Sequence, residues 1–234
     1  MTPLNLDGKV VVITGASGGL GTAVTRAFLD AGARVVGVDR LPRSKNPNHP
    51  SLTHMAVQLE NASAADTLIE DTLTMHGRLD GVVHLVGGFS GGRRVDETAD
   101  EEWESMLAIN LRPAIHLARA ALPVMRAARR GAFVAIGSQA ALNPVPTLGA
   151  YAAAKSALIT MVKTIAEENR EHNIRANIVS PGTMDTPANR SAMPEADPRK
   201  WVQPANVASL LVWLVSDLGL EVTGAVIPLP GREM

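Results

Sequence analysis

The strongest constraint on the fold is a short apolar run that ends in a cluster of glycines near the start of the chain. Residues 9–14 read KVVVIT, and the seven residues after them read GASGGLG. An apolar run of this length is typical of a central parallel strand that is buried on both faces. A helical pattern follows from Leu20 to about Ala31. The sequence therefore predicts a strand, a tight glycine turn and a helix in direct succession.

The alternation of strand and helix continues along the chain. Strands are predicted at 34–39, 52–59, 81–86, 131–138, 174–179 and 224–228, helices at 63–76, 98–129, 151–169 and 204–216, and loops at 40–51, 87–94 and 183–203. The long helix at 98–129 is expected to open with a capping box at residues 98–101, and Pro113 and Pro123 should start or kink segments within it. This order favours an α/β fold, a Rossmann-type doubly wound parallel sheet of about seven strands with helices on both faces. We predict a single domain over residues 1–234, because no internal repeat or low-complexity tract is visible.

Composition argues against several classes of function. The chain has 46% apolar residues, a formal net charge of −1 and no cysteine. The small charge gives no reason to expect a nucleic acid or a membrane as partner. The lack of cysteine excludes disulfides and thiolate sites, and the six histidines show no metal-ligand spacing, so no metal is predicted. Without a signal-peptide pattern or a long apolar run, we expect a cytoplasmic protein.

The glycine turn predicts a site for a pyrophosphate. Glycines allow close approach of the backbone, and a helix N-terminus offers free N–H groups and a positive dipole end. Asp39 ends the second strand, where a carboxylate can bind ribose hydroxyls and repel a 2′-phosphate. The adjacent Arg40 could soften this discrimination, and a simple strand-end aspartate is the alternative. We therefore expect a dinucleotide cofactor, with NAD(H) preferred and NADP(H) possible.

The single tyrosine of the chain is a candidate catalytic residue. Tyr151 has Lys155 four positions after it and Ser138 thirteen positions before it. Positions i and i+4 share one face of a helix, and a nearby cation lowers a phenol pKa from about 10 toward working pH. Tyr151 is therefore a candidate general acid/base, although a partly buried tyrosine beside a surface lysine is the alternative. Asn110 lies in an apolar helical register, where its amide needs a partner.

Together these residues resemble the single-domain branch of the short-chain dehydrogenase/reductase family, over nearly the whole chain. TGASGGLG matches the family's TGxxxGxG, and residues 181–186 match the segment that holds the nicotinamide amide. The resemblance implies an oxidoreductase that transfers a hydride between a nicotinamide and a carbonyl or hydroxyl carbon. Tyr151 would be the general acid/base, and Lys155 would lower its pKa and hold the nicotinamide ribose. Ser138 would hydrogen-bond the reacting oxygen, and Asn110 would anchor a water for proton relay.

The predicted cofactor contacts follow the carboxyl ends of the strands. They are Gly15, Ser17, Gly18, Gly19, Leu20, Gly21, Asp39, Arg40, Gln58, Leu59, Val86, Gly87, Tyr151, Lys155, Pro181, Gly182, Met184 and Thr186. Two positions depart from the family pattern. Its Asn-Asn-Ala-Gly after the fourth strand is His84-Leu85-Val86-Gly87 here, so the local support of the cofactor must differ. Gln58 stands where an acidic residue usually lies near the adenine.

A narrower resemblance leaves a second activity open. The stretch 185–197, Trp201 and the loop 86–92 resemble the dihydropteridine reductase branch of the family, which uses NADH to reduce a quinonoid pterin. That branch lacks the catalytic serine, whereas this chain has Ser138. Carbonyl chemistry is therefore the first prediction, and NADH-dependent reduction of a quinonoid dihydropteridine or similar heterocycle is the alternative. A dinucleotide-sensing protein without turnover is less expected, since a sensor needs none of the four catalytic residues.

Substrate and partners are also predicted from the loops and helices. The substrate loop at about 183–203 is expected to close over a small molecule, with Met184, Met193 and Trp201 as an apolar lid. Arg93 and Arg94 could meet an anionic substrate, although a solvated loop is the simpler interpretation.

A homodimer or homotetramer is expected from the same resemblance. The helices at 100–129 and 151–169 pair between subunits in relatives of this kind. The second helix carries small and apolar residues beyond those that one sheet face can use: Ala152, Ala153, Ala157, Leu158 and Met161.

Overall fold

A seven-stranded parallel sheet forms the centre of the molecule. The computed structural model describes residues 4–41 and 48–232, so positions 42–47 of the predicted loop lie outside the described residues. The strands pair in the order β3-β2-β1-β4-β5-β6-β7. Their bounds are β1 Val10–Thr14, β2 Arg34–Asp39, β3 Leu52–Ala56, β4 Gly81–His84, β5 Gly131–Ile136, β6 Ile174–Pro181 and β7 Val226–Leu229. All neighbouring pairs are parallel, which confirms the predicted doubly wound sheet.

Helices cover both faces of this sheet. Their bounds are α1 Gly21–Asp30, α2 Ala62–His76, α3 Asp100–Asn110, α4 Arg112–Ala128, α5 Gln139–Leu142, α6 Gly149–Glu168, α7 Pro187–Ala192 and α8 Pro204–Val215. Successive side chains of a strand point to opposite faces. Val12 accordingly packs in the core with α2, α4 and α6, whereas Val11 and Ile13 pack with α1 and α8. No helix within the described ranges is long and apolar enough to cross a membrane.

The segment predicted as helical at 98–129 forms two helices. α3 ends at Asn110 and α4 begins at Arg112 with Pro113 in its first turn, where a missing N–H costs nothing, so the predicted start of a segment at Pro113 is confirmed. The predicted capping box at residues 98–101 is wrong. The N-cap is Ala99, without a side-chain bond, and Thr98 instead donates through Oγ1 to the carbonyl of Arg94 at 2.8 Å.

The segment at 183–203 is more structured than a loop. It contains α7, which Thr186 caps by accepting a bond from Asn189 N at 3.3 Å. Trp201 is buried, so this side chain is part of the interior and not of a lid. Closure of α7 and Met193 over a substrate stays a prediction. The strands at 52–59, 81–86 and 131–138 were each predicted two or three residues too long, because the chain leaves the ladder at the carboxyl edge.

The amino edge of the sheet is joined by one buried carboxylate. Asp80 accepts bonds from Val10 N at 2.9 Å and from Arg78 Nε at 2.7 Å, and Arg130 Nε lies 3.1 Å away. Burial raises the pKa of Asp80, but the bonds from Arg78 and Val10 and the charges of both arginines outweigh burial and hold its pKa below the usual value. The residue links the starts of β1, β4 and β5.

Candidate active site

The glycine turn after β1 is built so that backbone can pack on backbone. Gly15 adopts a left-handed φ of 71°, and its carbonyl accepts a bond from Gly18 N at 3.0 Å. A Cβ at Gly21 would overlap that same carbonyl, so α1 can begin here only with glycine. Gly18 and Gly19 are exposed, and Leu20 provides no side-chain cap for the first turn of α1. The first turn of α1, which has no side-chain cap, therefore begins beside two exposed glycines, an arrangement that suits an anionic ligand.

The acidic end of β2 is tied directly to this turn. Asp39 accepts bonds from Ser17 N at 3.0 Å through Oδ1 and from Ser17 Oγ at 2.7 Å through Oδ2. The carboxylate therefore lies beside the glycine turn, with a lone pair still available on each oxygen. Arg40, the next residue, and Gln58, which follows the end of β3, are exposed, whereas Leu59 is buried. Leu59 and Leu20 pack in the cores, so only their backbones could contact a cofactor.

The end of β6 lies against the same turn. A Cβ at Gly19 would lie 3.0 Å from Cβ and Cγ2 of Thr186, which places the 182–186 segment in contact with the glycines. Gly182 packs on backbone too, since a Cβ there would be 2.7 Å from Pro230 O. Met184 pairs with Val202, and its carbonyl accepts a bond from Asn189 Nδ2 at 2.8 Å. The two predicted cofactor segments thus meet at one edge, a geometry that fits a dinucleotide lying across it.

Ser138 and Tyr151 come together at the carboxyl end of β5. Ser138 is the N-cap of α5, and its Oγ accepts a bond from Ala140 N at 3.2 Å. Tyr151 lies in the first turn of α6, and its phenol interacts with Ser138. Lys155, one turn further along α6, is buried and donates through Nζ to Ile136 O at 2.9 Å. One strand end and one helix start therefore position all three side chains.

The predicted lowering of the Tyr151 pKa by Lys155 is not seen. Burial raises the pKa of Tyr151, and the interaction with Ser138 lowers it only in part. Lys155 directs its ammonium to a backbone carbonyl, and burial lowers the pKa of this lysine to about 8. The i, i+4 spacing places both residues on one face of α6, but the phenol interacts with Ser138 and the ammonium with Ile136 O.

Asn110 finds its amide partners in the loop after β4. Its Oδ1 accepts a bond from Gly88 N at 3.1 Å, and its Nδ2 donates to Met106 O at 3.1 Å. A Cβ at Gly87 would lie 2.8 Å from Asn110 Oδ1 and 3.1 Å from Lys155 Nζ. Gly87 therefore fits between the asparagine and the lysine, and the four predicted catalytic residues occupy one region of the carboxyl edge.

Comparison with known proteins decides the family. A model of the short chain dehydrogenase family matches residues 9–197. The chain belongs to the short-chain dehydrogenase family. It is 32% identical to asnovolin H dehydrogenase of Aspergillus novofumigatus, over 96% of each chain. A solved oxidoreductase of this family from Burkholderia thailandensis is 30% identical, with a TM-score of 0.83 over 95% of this chain and 91% of that one.

A second structure shares the fold at lower identity. The 3-ketoacyl-(acyl-carrier-protein) reductase from Brucella melitensis, solved in complex with NADH, is 24% identical. Its TM-score is 0.88, and the match covers 98% of this chain and 100% of that chain. The two proteins therefore share a fold over nearly the whole chain. The narrower resemblance to dihydropteridine reductase stays a prediction.

His84 stands where the family pattern has an asparagine. Its imidazole is buried, and the sequence predicted no role for it. Its Nδ1 lies 3.0 Å from Thr14 Oγ1, and the same hydroxyl accepts a bond from Leu85 N at 3.3 Å. His84 therefore supports the cofactor edge through Thr14 of the short-chain dehydrogenase glycine motif. Its Nε2 has no partner among the described residues. Burial, and then the charge of Lys155, lower the pKa of His84 to about 3, so the ring is neutral at physiological pH.

The segment before α6 carries a strained residue that no sequence pattern indicated. Thr147 has a φ of 68°, in the left-handed region that a β-branched residue rarely adopts. Such a conformation costs about 1–3 kcal/mol and persists only where the surroundings hold it. The Thr147 carbonyl accepts a bond from Gly92 N at 2.9 Å. This hydrogen bond joins the loop after β4 to the segment that leads into Tyr151.

We predict that Lys155→Met stabilises the protein without cofactor. Holding a charged lysine in this buried site is unfavourable, as its lowered pKa of about 8 indicates. Each pKa unit corresponds to about 1.36 kcal/mol, so we expect a gain of about 1–3 kcal/mol in the free energy of unfolding at pH 7. Urea denaturation measures it, with Lys163→Met on the exposed side of α6 as the control.

The stabilising effect of Lys155→Met should depend on pH, because Lys155 loses its proton at a lower pH in the folded chain than in the unfolded chain. The unfolded chain holds the Lys155 proton up to about pH 10.5, whereas the folded chain releases it near pH 8. Wild-type stability therefore rises with pH in that window, and the variant lacks this rise. The advantage of Lys155→Met should be largest near pH 7 and shrink as the pH increases. A variant less stable than wild type at pH 7 would contradict the analysis.

Proposed function

We propose that this short-chain dehydrogenase is an NAD(H)-dependent oxidoreductase that interconverts a carbonyl and a hydroxyl carbon, with Tyr151 as general acid/base. The observation that carries the proposal is the convergence of Ser138 and Tyr151, with Lys155 and Asn110 meeting at Gly87. A non-catalytic dinucleotide sensor needs none of these four side chains. A bound nicotinamide would supply the hydride, or accept it in the oxidative direction.

The residues of the chain would handle the proton and the oxygen. In reduction, the carbonyl carbon gains a hydride, and its oxygen gains the proton of the Tyr151 phenol, so the product is an alcohol. Burial raises the pKa of Tyr151, which keeps the phenol protonated and ready to donate. Ser138 would donate a hydrogen bond to the oxygen as negative charge develops on it. The reduced cofactor loses two electrons and the ketone gains them, so the reaction balances.

The other residues of the site would bind the cofactor. The glycine turn at 15–21 would receive the pyrophosphate, and Asp39 the adenine ribose. The segment 181–186 would hold the nicotinamide amide beside Gly19. Lys155, which now bonds Ile136 O, has two further N–H donors available for the nicotinamide ribose. Asn110 would anchor a water near Lys155, through which the proton of Tyr151 is restored from solvent.

We predict that Ser138→Ala separates the carbonyl reaction from pterin reduction. For a ketone, charge develops on one oxygen, and losing the serine donor should cost roughly 2.7–4 kcal/mol, or about 10²–10³ in kcat. For a quinonoid pterin, charge develops over conjugated ring atoms, so the serine should matter little. Tyr151→Phe should abolish turnover in both reactions. The measurement is NADH absorbance, which falls as a ketone or a quinonoid pterin is reduced and rises as an alcohol is oxidised by NAD⁺.

NADH affinity serves as the control for Ser138→Ala. This variant should bind NADH as tightly as wild type, because it removes one hydroxyl from a residue outside the predicted cofactor contacts. A Ser138→Ala protein that retains most of its ketone activity would move pterin reduction to first place. A Tyr151→Phe protein with near wild-type kcat would refute the proposed chemistry altogether.

We predict a preference for NADH over NADPH. Asp39 lies beside the glycine turn, where its charge would repel a 2′-phosphate, and exposed Arg40 opposes it. Asp39→Asn keeps an acceptor for Ser17 but removes the charge, so the preference, expressed as a ratio of kcat/KM values, should fall about tenfold. Arg40→Gln is the matched variant and should shift the ratio in the other direction. A wild-type preference for NADPH would show that Arg40 dominates.

We also infer a homo-oligomer, formed through α4 and α6. A groove of about 400 Å³ runs between these helices and is lined by Ile115, Ala118, Arg119, Leu122, Pro123, Arg126, Met161, Ile165 and Glu168. Leu158, predicted for this surface, is fully buried in the core of its own subunit instead. Light scattering should give the mass of a dimer or tetramer, and Ile115→Asp a smaller species. A strict monomer at micromolar concentration would contradict the inference.

A further inference from the structure

One aromatic side chain lies beside the proposed general acid/base and has no assigned role. Of the three phenylalanines in the chain, Phe28 and Phe133 are fully buried, whereas Phe89 is 68% exposed. The Phe89 ring packs edge-to-face with Tyr151, with ring centroids 5.1 Å apart and an interplanar angle of 69°. Ligand sites are lined mainly by hydrophobic and aromatic side chains, so a ring in this place is available to contact a substrate.

The loop that carries Phe89 is fixed on both sides. Ser90 Oγ donates to Glu102 Oε1 at 2.6 Å, which ties the loop to α3. On the other side Gly92 N donates to the carbonyl of the strained Thr147. A Cβ at Gly91 would overlap Leu148, so the loop packs as closely as glycine allows. These contacts fix the conformation of the loop, and with it the exposed position of Phe89.

The segments that follow β5 and β6 also carry exposed apolar side chains. Leu142, Val145 and Met193 are each more than a third exposed and lie in these segments, after the carboxyl ends of their strands. Parallel sheets bind ligands at this edge. Exposed apolar side chains in the segments after three neighbouring strands favour a substrate with an apolar body.

The charges near the loop argue against an anionic substrate. Arg94 is paired with Asp96, with Nε and Oδ1 3.4 Å apart. Between residues 93 and 104 the two arginines are outnumbered by six acidic residues. An anion approaching the loop at 87–94 would therefore meet net negative charge, which repels it. The sequence-based expectation that Arg93 and Arg94 receive an anion is not supported by this distribution.

We propose that Phe89 is a stacking platform for substrate, and that the substrate is an uncharged ketone or alcohol attached to a flat, apolar ring. The inference names the substrate class of the site and rests on the proposed carbonyl function. The ring of the substrate would lie against Phe89, while its carbonyl oxygen reaches Tyr151 and Ser138. Aromatic pairs prefer offset or edge-to-face arrangements, so a flat ring fits this platform better than a puckered one.

The test compares a flat ligand with its saturated counterpart. The probes are 2-acetylnaphthalene and the decalin methyl ketone, which share one carbonyl and differ in planarity. Their Kd values are measured by calorimetry on enzyme saturated with NAD⁺, a combination that cannot react. Phe89→Ala should weaken 2-acetylnaphthalene about tenfold, which is about 1.4 kcal/mol, and the decalin ketone by about threefold or less. Phe89→Leu keeps apolar area without planarity and should resemble Phe89→Ala.

Two controls make the result specific to Phe89. Phe89→Tyr keeps the ring and should bind both probes like wild type. Leu220→Ala removes an exposed apolar side chain far along the chain and should change neither Kd.

A third probe, 6-acetyl-2-naphthoate, tests the charge of the substrate. It adds a carboxylate and should bind wild type more weakly than 2-acetylnaphthalene. Tighter binding of this anion would overturn the uncharged substrate class.

The outcomes distinguish this inference from the proposed reaction. Equal affinity of wild type and Phe89→Ala for the flat ketone, or no binding to wild type, would overturn the platform even if Tyr151→Phe abolishes turnover of other ketones. Conversely, a planarity-dependent loss in Phe89→Ala supports the platform whatever the kinetics of Tyr151→Phe show, because the binding measurement involves no chemical step.

Discussion

Close approach to the backbone of glycines, possible only because they have no Cβ, is the constraint on which the carboxyl edge depends. Gly21 packs on the carbonyl of Gly15, Gly19 on Thr186, and Gly87 between Asn110 and the buried lysine of α6. Side chains at these points would force the segments apart and open the region where all proposed functions meet. The site is therefore a consequence of backbone packing first, and of catalytic side chains second.

The sequence predicted what local patterns encode. Apolar runs of four to eight residues indicated the strands, and the spacing of Ser138, Tyr151 and Lys155 indicated the residues that the structure brings together. Proline chemistry indicated a new segment at Pro113, and α4 begins with this residue in its first turn. Strand ends were less predictable, because a sequence pattern does not show where the chain of β3, β4 or β5 leaves the ladder.

The electrostatics of the site could not be predicted, because they depend on burial in three dimensions. The spacing of Tyr151 and Lys155 suggested a lysine that acts on the phenol, yet burial is the larger influence on the pKa of each group. His84 is a similar case, since only the fold shows that its Nε2 is enclosed without a partner. The left-handed φ of Thr147 has no sequence signature at all, for threonine disfavours that conformation.

The Asp80 junction has a consequence for how this molecule tolerates change. Its bonds join three strand starts at the amino edge, the end of the sheet opposite the glycine turns and the catalytic side chains. Strand order and register are thus anchored at one end, while the loops at the other end contribute chemistry. New substrate loops can be exchanged at the carboxyl edge without altering that anchor, so a single scaffold can diversify its reactions while its strand order and register stay the same.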